Sequence, residues 1–127
     1  MFYKKLIDGD KTVQLGLEAI GRTATLCAKA LREQNFHEAL NLSKEEWAYR
    51  TELWPAIETK RTKEITSLLE KSGSFLTRVC GAGGGGAMAT FVPKEQISSL
   101  KLKLKESKIS LLAANLSNAG LAKRLDA

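Results

Sequence analysis

Residues 74–92 read SFLTRVCGAGGGGAMATFV, in which two short runs of strand-forming residues enclose the glycine-rich segment GAGGGG. Phe, Val and Thr favour strands and glycine favours a tight connection, so the stretch predicts a strand, a loop and a second strand. Ordering five glycines in six positions costs more conformational entropy than a hairpin requires, because a two-residue turn would join the strands. We therefore interpret the loop as functional, with a bare hairpin connection as the alternative.

The glycine loop has the chemistry of an anion site. Glycine takes positive φ without strain, and successive amides with no Cβ beside them can form a nest that cradles phosphate. The candidate phosphate-loop residues are Gly81, Ala82, Gly83, Gly84, Gly85 and Gly86. Arg78, on the strand before the loop, is a secondary candidate for a phosphate contact, because a guanidinium matches phosphate geometry. An Arg78 that faces solvent or a nearby carboxylate is the alternative.

Two phosphate-binding motifs built on glycine loops do not fit this one. A Walker A loop ends in Gly-Lys-Ser/Thr, whereas Ala87 and Met88 follow Gly86. The dinucleotide pattern G-x-G-x-x-G is satisfied by Gly81, Gly83 and Gly86. A strand rather than a helix is predicted after it, so no helix N-terminus would face a pyrophosphate.

Three amphipathic helices are predicted upstream of the loop. Apolar residues recur every three or four positions from Asp10 to Leu31, and Asp10 can cap that helix. A second helix begins at Asn35 and stops before Pro55, which lacks an amide donor and pushes its predecessor out of the helical region. The predicted buried stripe of this second helix is Phe36, Leu40, Trp47 and Trp54. A separate helix beginning at Ser43 is the alternative.

The remaining pattern completes an α+β domain. A third helix runs from Thr59 to Lys71, and Gly73 is placed to end it in the left-handed conformation. Pro93 suits a first helical turn and predicts a helix over residues 93–107, while KISLLAAN (residues 108–115) predicts a third strand. This order predicts an α+β fold with the N-terminal helices packed on one face of a small antiparallel sheet.

Length and composition describe a single domain over residues 1–127, because 43% apolar and 27% charged residues are close to globular averages. The net charge of +6 attracts phosphates or an acidic partner, but aromatics make up only 6% of residues, so nucleic acid is not an expected partner. The sequence shows no secretory signal and no membrane-spanning run, which predicts a cytoplasmic protein without membrane contact. Cys27, Cys80 and the lone His37 fit no zinc spacing, so no metal site is predicted.

The segment RVCGAGGGGAM, residues 78–88, resembles the glycine-rich third motif of the GHMP kinases, named for galactokinase, homoserine, mevalonate and phosphomevalonate kinases. Residues 41–86 resemble the sugar-kinase branch that includes the D-glycero-D-manno-heptose 7-phosphate kinases, with a tryptophan-bearing helix, a short break, another helix and then the loop. The sequence departs from this branch at Thr77 and Arg78, where the branch usually has a small residue and a lysine. The resemblance implies the ferredoxin-like plait of the GHMP kinase C-terminal domain.

The resemblance also implies ATP-dependent phosphoryl transfer, with Mg²⁺, to a sugar or sugar phosphate in a site between two domains. In the family the third-motif loop lies beside the nucleotide phosphates, a role that falls on residues 81–86 here. The family's second motif, catalytic aspartate and lysine belong to an N-terminal domain and have no counterpart in this sequence. We therefore expect the chain to be inactive alone and to need an N-terminal kinase domain, or to form a homodimer through the interdomain surface. A stand-alone binding or dimerisation module that keeps this fold without catalysis is the alternative.

Overall fold

The first part of the fold is a helical hairpin. In a computed structural model, which describes residues 9–81 and 86–112, helix α1 spans Lys11–Arg32 and helix α2 spans Phe36–Leu53. Asp10 caps α1 through Oδ1, which accepts from the Thr12 amide at 2.9 Å, and Asn35 caps α2 by accepting from the Glu38 amide at 3.2 Å. Both predicted caps are confirmed, and the second helix is one continuous element rather than two.

A short connection leads from the helical hairpin to helix α3. Pro55 ends α2 and opens a single 3₁₀ turn, Pro55–Ile57, and α3 then spans Lys60–Lys71. Thr59 and Thr62 satisfy each other's backbone amides at the start of α3, which is a capping box built from two threonines. Gly73 follows α3 at φ +96°, as predicted, because the left-handed conformation that turns the chain into the sheet strains any residue with a Cβ.

The sheet is an antiparallel hairpin of β1, Leu76–Val79, and β2, Met88–Phe91, in the register Leu76↔Phe91 to Val79↔Met88. After Pro93, a 3₁₀ turn over Lys94–Gln96 leads into helix α4, Ile97–Glu106, so the predicted returning helix is confirmed. Among the residues that the structure describes, the sheet has two strands.

The predicted third strand is wrong over residues 108–112, the part of it that the structure describes. Residues 108–112 form no strand, and residues 113–115 lie outside the described residues. Lys108 takes φ +58°, and the Ile109 amide donates to the Leu104 carbonyl at 2.9 Å. These backbone groups therefore complete the C-terminus of α4 instead of pairing with β2.

The core consists of three clusters of buried side chains. Ala30, Ala39 and Leu42 join the two helices of the helical hairpin; Trp47, Ile57 and Val79 join α2 to the sheet; Leu69, Leu100 and Leu104 join α3 to α4. Helices α2 and α3 both contact β1, and α1 packs on α2. The α+β fold with helices packed on a small antiparallel sheet is confirmed.

The buried face of α2 differs from the predicted stripe. Trp47 is buried, but Phe36 is 62% exposed and Trp54 is 38% exposed. The face that packs inward instead passes through Ala39, Leu42 and Glu46. Ala39 and Leu42 pack with Ala30 of α1, and Glu46 is paired with Arg50 and Arg78. Among the helices of the described ranges, none combines the length and apolar character needed to cross a bilayer.

Candidate functional site

The glycine loop joins the two strands, and the structure describes both of its ends. The Cys80 amide donates to the Ala87 carbonyl at 2.9 Å, which extends the strand pairing by one step to the base of the loop. Gly81 and Gly86 follow at φ +77° and +83°, a region that strains residues with a Cβ. Ala82, Gly83, Gly84 and Gly85 lie outside the described residues. The predicted order of strand, glycine loop and strand is confirmed, whereas a phosphate role for the loop stays a prediction.

Arg78 lies on β1 just before the loop and pairs with a buried carboxylate. Its Nη1 lies 2.6 Å from Oε2 of Glu46 on α2, and Glu46 is only 6% exposed. Arg50, one turn further along α2, donates from Nε to Glu46 Oε1 at 2.9 Å. A buried carboxylate of this kind is stable only when cations and hydrogen-bond donors compensate it. The structure therefore adopts the alternative in which Arg78 faces a nearby carboxylate.

Two further contacts fix the Arg78 guanidinium. Its carbon Cζ lies 5.1 Å from the centre of the Trp47 ring, within the range of a cation–π interaction. Nη1 also donates to Ser43 Oγ at 3.3 Å. Within the described ranges, Nε and Nη2 of Arg78 make no hydrogen bond, and the side chain keeps 24% exposure. Arg78 therefore retains donors for an anion while one side of the guanidinium is anchored to α2.

The Glu46 cluster, formed by Glu46, Arg50 and Arg78, carries one carboxylate against two guanidinium groups. The excess positive charge lies near the base of the glycine loop, where it favours an anion. Glu46 was not among the functional residues predicted from the sequence. Its spacing of four from Arg50 on a predicted helix was an available signal, but the pairing with Arg78 depends on how β1 packs against α2.

A second polar cluster crosses the sheet at the opposite end of β1. The hydroxyl oxygens of Thr77 and Thr90, which face each other across the strands, are 2.8 Å apart. Ser74 Oγ lies 2.6 Å from the Thr90 hydroxyl and 2.9 Å from the Thr77 hydroxyl. Thr77 is buried, so this triangle satisfies the polar groups of the sheet rather than presenting them to a ligand.

The other groups considered from the sequence do not converge on the loop. Cys27 and Cys80 are free thiols, and Cys80 is exposed. The basic residues of α3 and α4 lie on exposed faces. Within residues 9–81 and 86–112, no group of three or more His, Cys, Asp or Glu side chains is arranged to hold a metal ion.

Two grooves lie on the surface away from the loop. An open apolar groove of about 770 Å³ lies between β2 and α4 and is lined by residues such as Phe91, Ile97 and Leu112. A smaller groove of about 300 Å³ lies beside α3 and is lined by lysine, glutamate and aromatic side chains, including Lys63, Glu70 and Phe75. Neither lining includes Gly81 or Gly86, so the two grooves are separate from the candidate site at the loop base.

Comparison with known proteins identifies a family for most of the chain. A family model described as GHMP kinases C terminal matches residues 27–110, which is well over half of the chain. The matched range contains α2, α3, both strands, the glycine loop and α4. No curated protein matches the chain.

Proposed function

Since the chain belongs to the GHMP kinase C-terminal domain family, we propose that it completes the nucleotide site of an ATP-dependent kinase that phosphorylates a sugar or sugar phosphate. The family match supports a place for the chain in a GHMP kinase, and the sugar substrate rests on the resemblance of residues 41–86 to the sugar-kinase branch. The observation that carries the proposal is the loop base, where glycines at positive φ stand at both ends of a glycine-rich connection.

The proposed role of the loop is electrostatic. Phosphoryl transfer is catalysed mainly by positioning and by stabilising charge on the phosphate oxygens, and backbone amides can contribute to both. In this proposal the amides of residues 81–86 face the nucleotide phosphates. Arg78 adds a positive charge near the start of the loop, so it stays a secondary phosphate contact.

The catalytic residues would come from an N-terminal kinase domain that is the partner of this chain. Mg²⁺ prefers several oxygen ligands, usually carboxylates together with the phosphates of the substrate. The described residues offer no carboxylate cluster that fits this ion, so the proposal assigns its protein ligands to the partner domain. The chain alone is then inactive and binds ATP weakly or not at all.

The test of this function combines the chain with a kinase domain that carries the Gly/Ser phosphate loop. ATP is titrated calorimetrically into the chain alone and into the pair, and phosphorylation is followed with a panel of sugars and sugar phosphates. We expect ATP binding and turnover only in the pair. In the pair, Gly86→Ala, at a position with φ +83°, should raise the KM for ATP, whereas Gly21→Ala in exposed α1 should not. Tight ATP binding by the chain alone would contradict the proposal.

A second candidate function is a binding or dimerisation module without catalysis. The observation that favours it is the exposure of large apolar side chains on the helical hairpin, namely Leu15, Leu26, Leu31 and Phe36. Such residues are common where another domain or another copy of the chain docks. Sedimentation of the full chain distinguishes the two candidates, because a stable dimer that gains no ATP binding from a kinase domain would favour the module.

A further inference from the structure

The burial of Glu46 is not explained by packing. A carboxylate at 6% exposure must be compensated, and apolar residues of similar size are often at least as stabilising at such positions. Glu46 lies on α2, whereas its partner Arg78 lies on β1 two positions before Cys80, whose amide closes the base of the glycine loop. The ion pair therefore connects the helical hairpin to the strand that leads into the loop.

We propose that Glu46 is a positioning residue for the glycine loop and acts through Arg78. By fixing the Arg78 guanidinium on α2, Glu46 holds the end of β1 in one place and fixes the position of Cys80 and Gly81 at the base of the loop. This structural part does not depend on the identity of the ligand. Its consequence for phosphate binding rests on the proposed function.

Over residues 9–81 and 86–112 the sheet has two strands, which alone give the base of the loop little support. Its register contains four residue pairs, from Leu76↔Phe91 to Val79↔Met88, and an isolated two-stranded hairpin is at best marginally stable in water. Val79 anchors the strand by packing with Trp47 and Ile57, but apolar contacts are not directional. An additional directional contact near Cys80 is what a fixed loop requires.

The Glu46 cluster holds the Arg78 guanidinium through three contacts. The ion pair places Nη1 of Arg78 2.6 Å from Glu46 Oε2, without the geometry of a hydrogen bond, and the directional contact comes from the Ser43 hydroxyl, which accepts from the same nitrogen at 3.3 Å. The centre of the Trp47 ring lies 5.1 Å from the guanidinium carbon. Arg50 occupies the other oxygen of Glu46, which leaves the carboxylate little freedom to turn away. A planar guanidinium held at this many points has few alternative orientations.

Hydrogen exchange of the full chain tests this role. The Cys80 amide reports opening of the loop base, and amides in the middle of α1 report global unfolding. We expect Glu46→Gln and Arg78→Gln each to accelerate exchange at Cys80 by about tenfold or more relative to α1. The double variant should exchange little faster than either single variant, because both remove the same contact.

Two further variants keep the test decisive. Glu33→Gln removes the exposed pair with Lys29 and should leave Cys80 unchanged. If Glu46→Gln does not fold, Arg78→Lys is measured in its place, because it keeps the charge but loses the planar guanidinium beside Trp47 and should produce a smaller acceleration at Cys80. Three results would each overturn the inference. The exchange rate at Cys80 could stay unchanged, it could rise only as much as the rates in α1, or the effects of the two single variants on Cys80 could add in the double variant.

The kinase assay separates this inference from the proposed function. In the two-domain enzyme, Glu46→Gln should raise the KM for ATP by a larger factor than it lowers kcat, since it displaces the loop without touching the reacting atoms. If Cys80 exchange accelerates but the KM for ATP does not change, the positioning role stands and the phosphate role of the loop fails. If Cys80 exchange does not respond, the positioning role fails whatever the activity.

Discussion

Replacing Gly81 with alanine isolates the effect of backbone conformation at the base of the glycine loop. Gly81 has φ +77°, and a Cβ built there meets no heavy atom within 4 Å. Gly21, in the exposed middle of α1, also leaves its Cβ free of contacts, but its backbone is helical. The same substitution therefore adds one methyl group to open space at both positions, and only φ differs.

The expected effects have opposite signs. A residue with a Cβ costs about 1–2 kcal/mol in the left-handed region. Alanine has less conformational entropy than glycine in the unfolded chain, which stabilises the folded protein by roughly 0.4–1 kcal/mol. The net effect is that Gly81→Ala should lower the free energy of unfolding by about 1 kcal/mol. Gly21→Ala should raise it by about 1 kcal/mol through helix propensity. The two variants should differ by about 2 kcal/mol, or roughly 8 °C in Tm for a chain of this size.

Thermal unfolding of the full chain, followed by circular dichroism, measures both variants against the unmodified protein. The result that would refute the reasoning is an equal rise in Tm for both variants, because Gly81 would then not be held at positive φ. In the two-domain enzyme, Gly81→Ala should also raise the KM for ATP, and Gly21→Ala should leave it unchanged.

Three other substitutions test local features of the fold. Gly73→Ala should destabilise the protein by about 1–2 kcal/mol because of the positive φ, and its Cβ would also meet the Gln96 side chain. Adding Gln96→Ala should not restore stability, since the flexible Gln96 side chain can move but the backbone cannot change its φ. Full recovery in a thermal melt would mean that the contact with Gln96, and not φ, causes the loss. Asp10→Ala should cost about 1 kcal/mol in urea unfolding and Asp10→Asn much less, whereas equal losses would exclude capping as the cause. Thr77→Val should cost about 1 kcal/mol by removing the Thr77 hydroxyl from its contacts with Ser74 and Thr90, and Thr77→Ser should cost less; no loss for valine would contradict the hydroxyl triangle.

Local signals in the sequence predicted the elements well. The cap residues Asp10 and Asn35, the break at Pro55 and the turn at Gly73 each act on backbone groups within a few positions, so their effects follow from the nearby sequence. The strand–loop–strand order around residues 81–86 was equally local. These features needed no knowledge of which elements pack together.

Burial and long-range pairing could not be predicted in the same way. Phe36 and Trp54 are large and apolar, yet they are exposed because α1 contacts α2 through the smaller residues Ala30 and Ala39. Glu46 is buried because Arg78 arrives from β1, and no periodicity within α2 indicates that partner. The third strand failed for a related reason, since Ile109 uses its amide to complete α4. The glycine loop was predicted from its composition. The Glu46 cluster was not predicted, because it depends on contacts between residues that are distant in the sequence.

The contact between Arg78 and α2 also bears on the kinetics of folding. The α1–α2 and β1–β2 hairpins join neighbours in sequence, so each can form quickly, whereas Arg78 and Ser43 are 35 positions apart. Weakening the attachment of Arg78 to α2 shows when this contact forms: faster unfolding with an unchanged refolding rate places it after the transition state, and slower refolding places it in the folding nucleus.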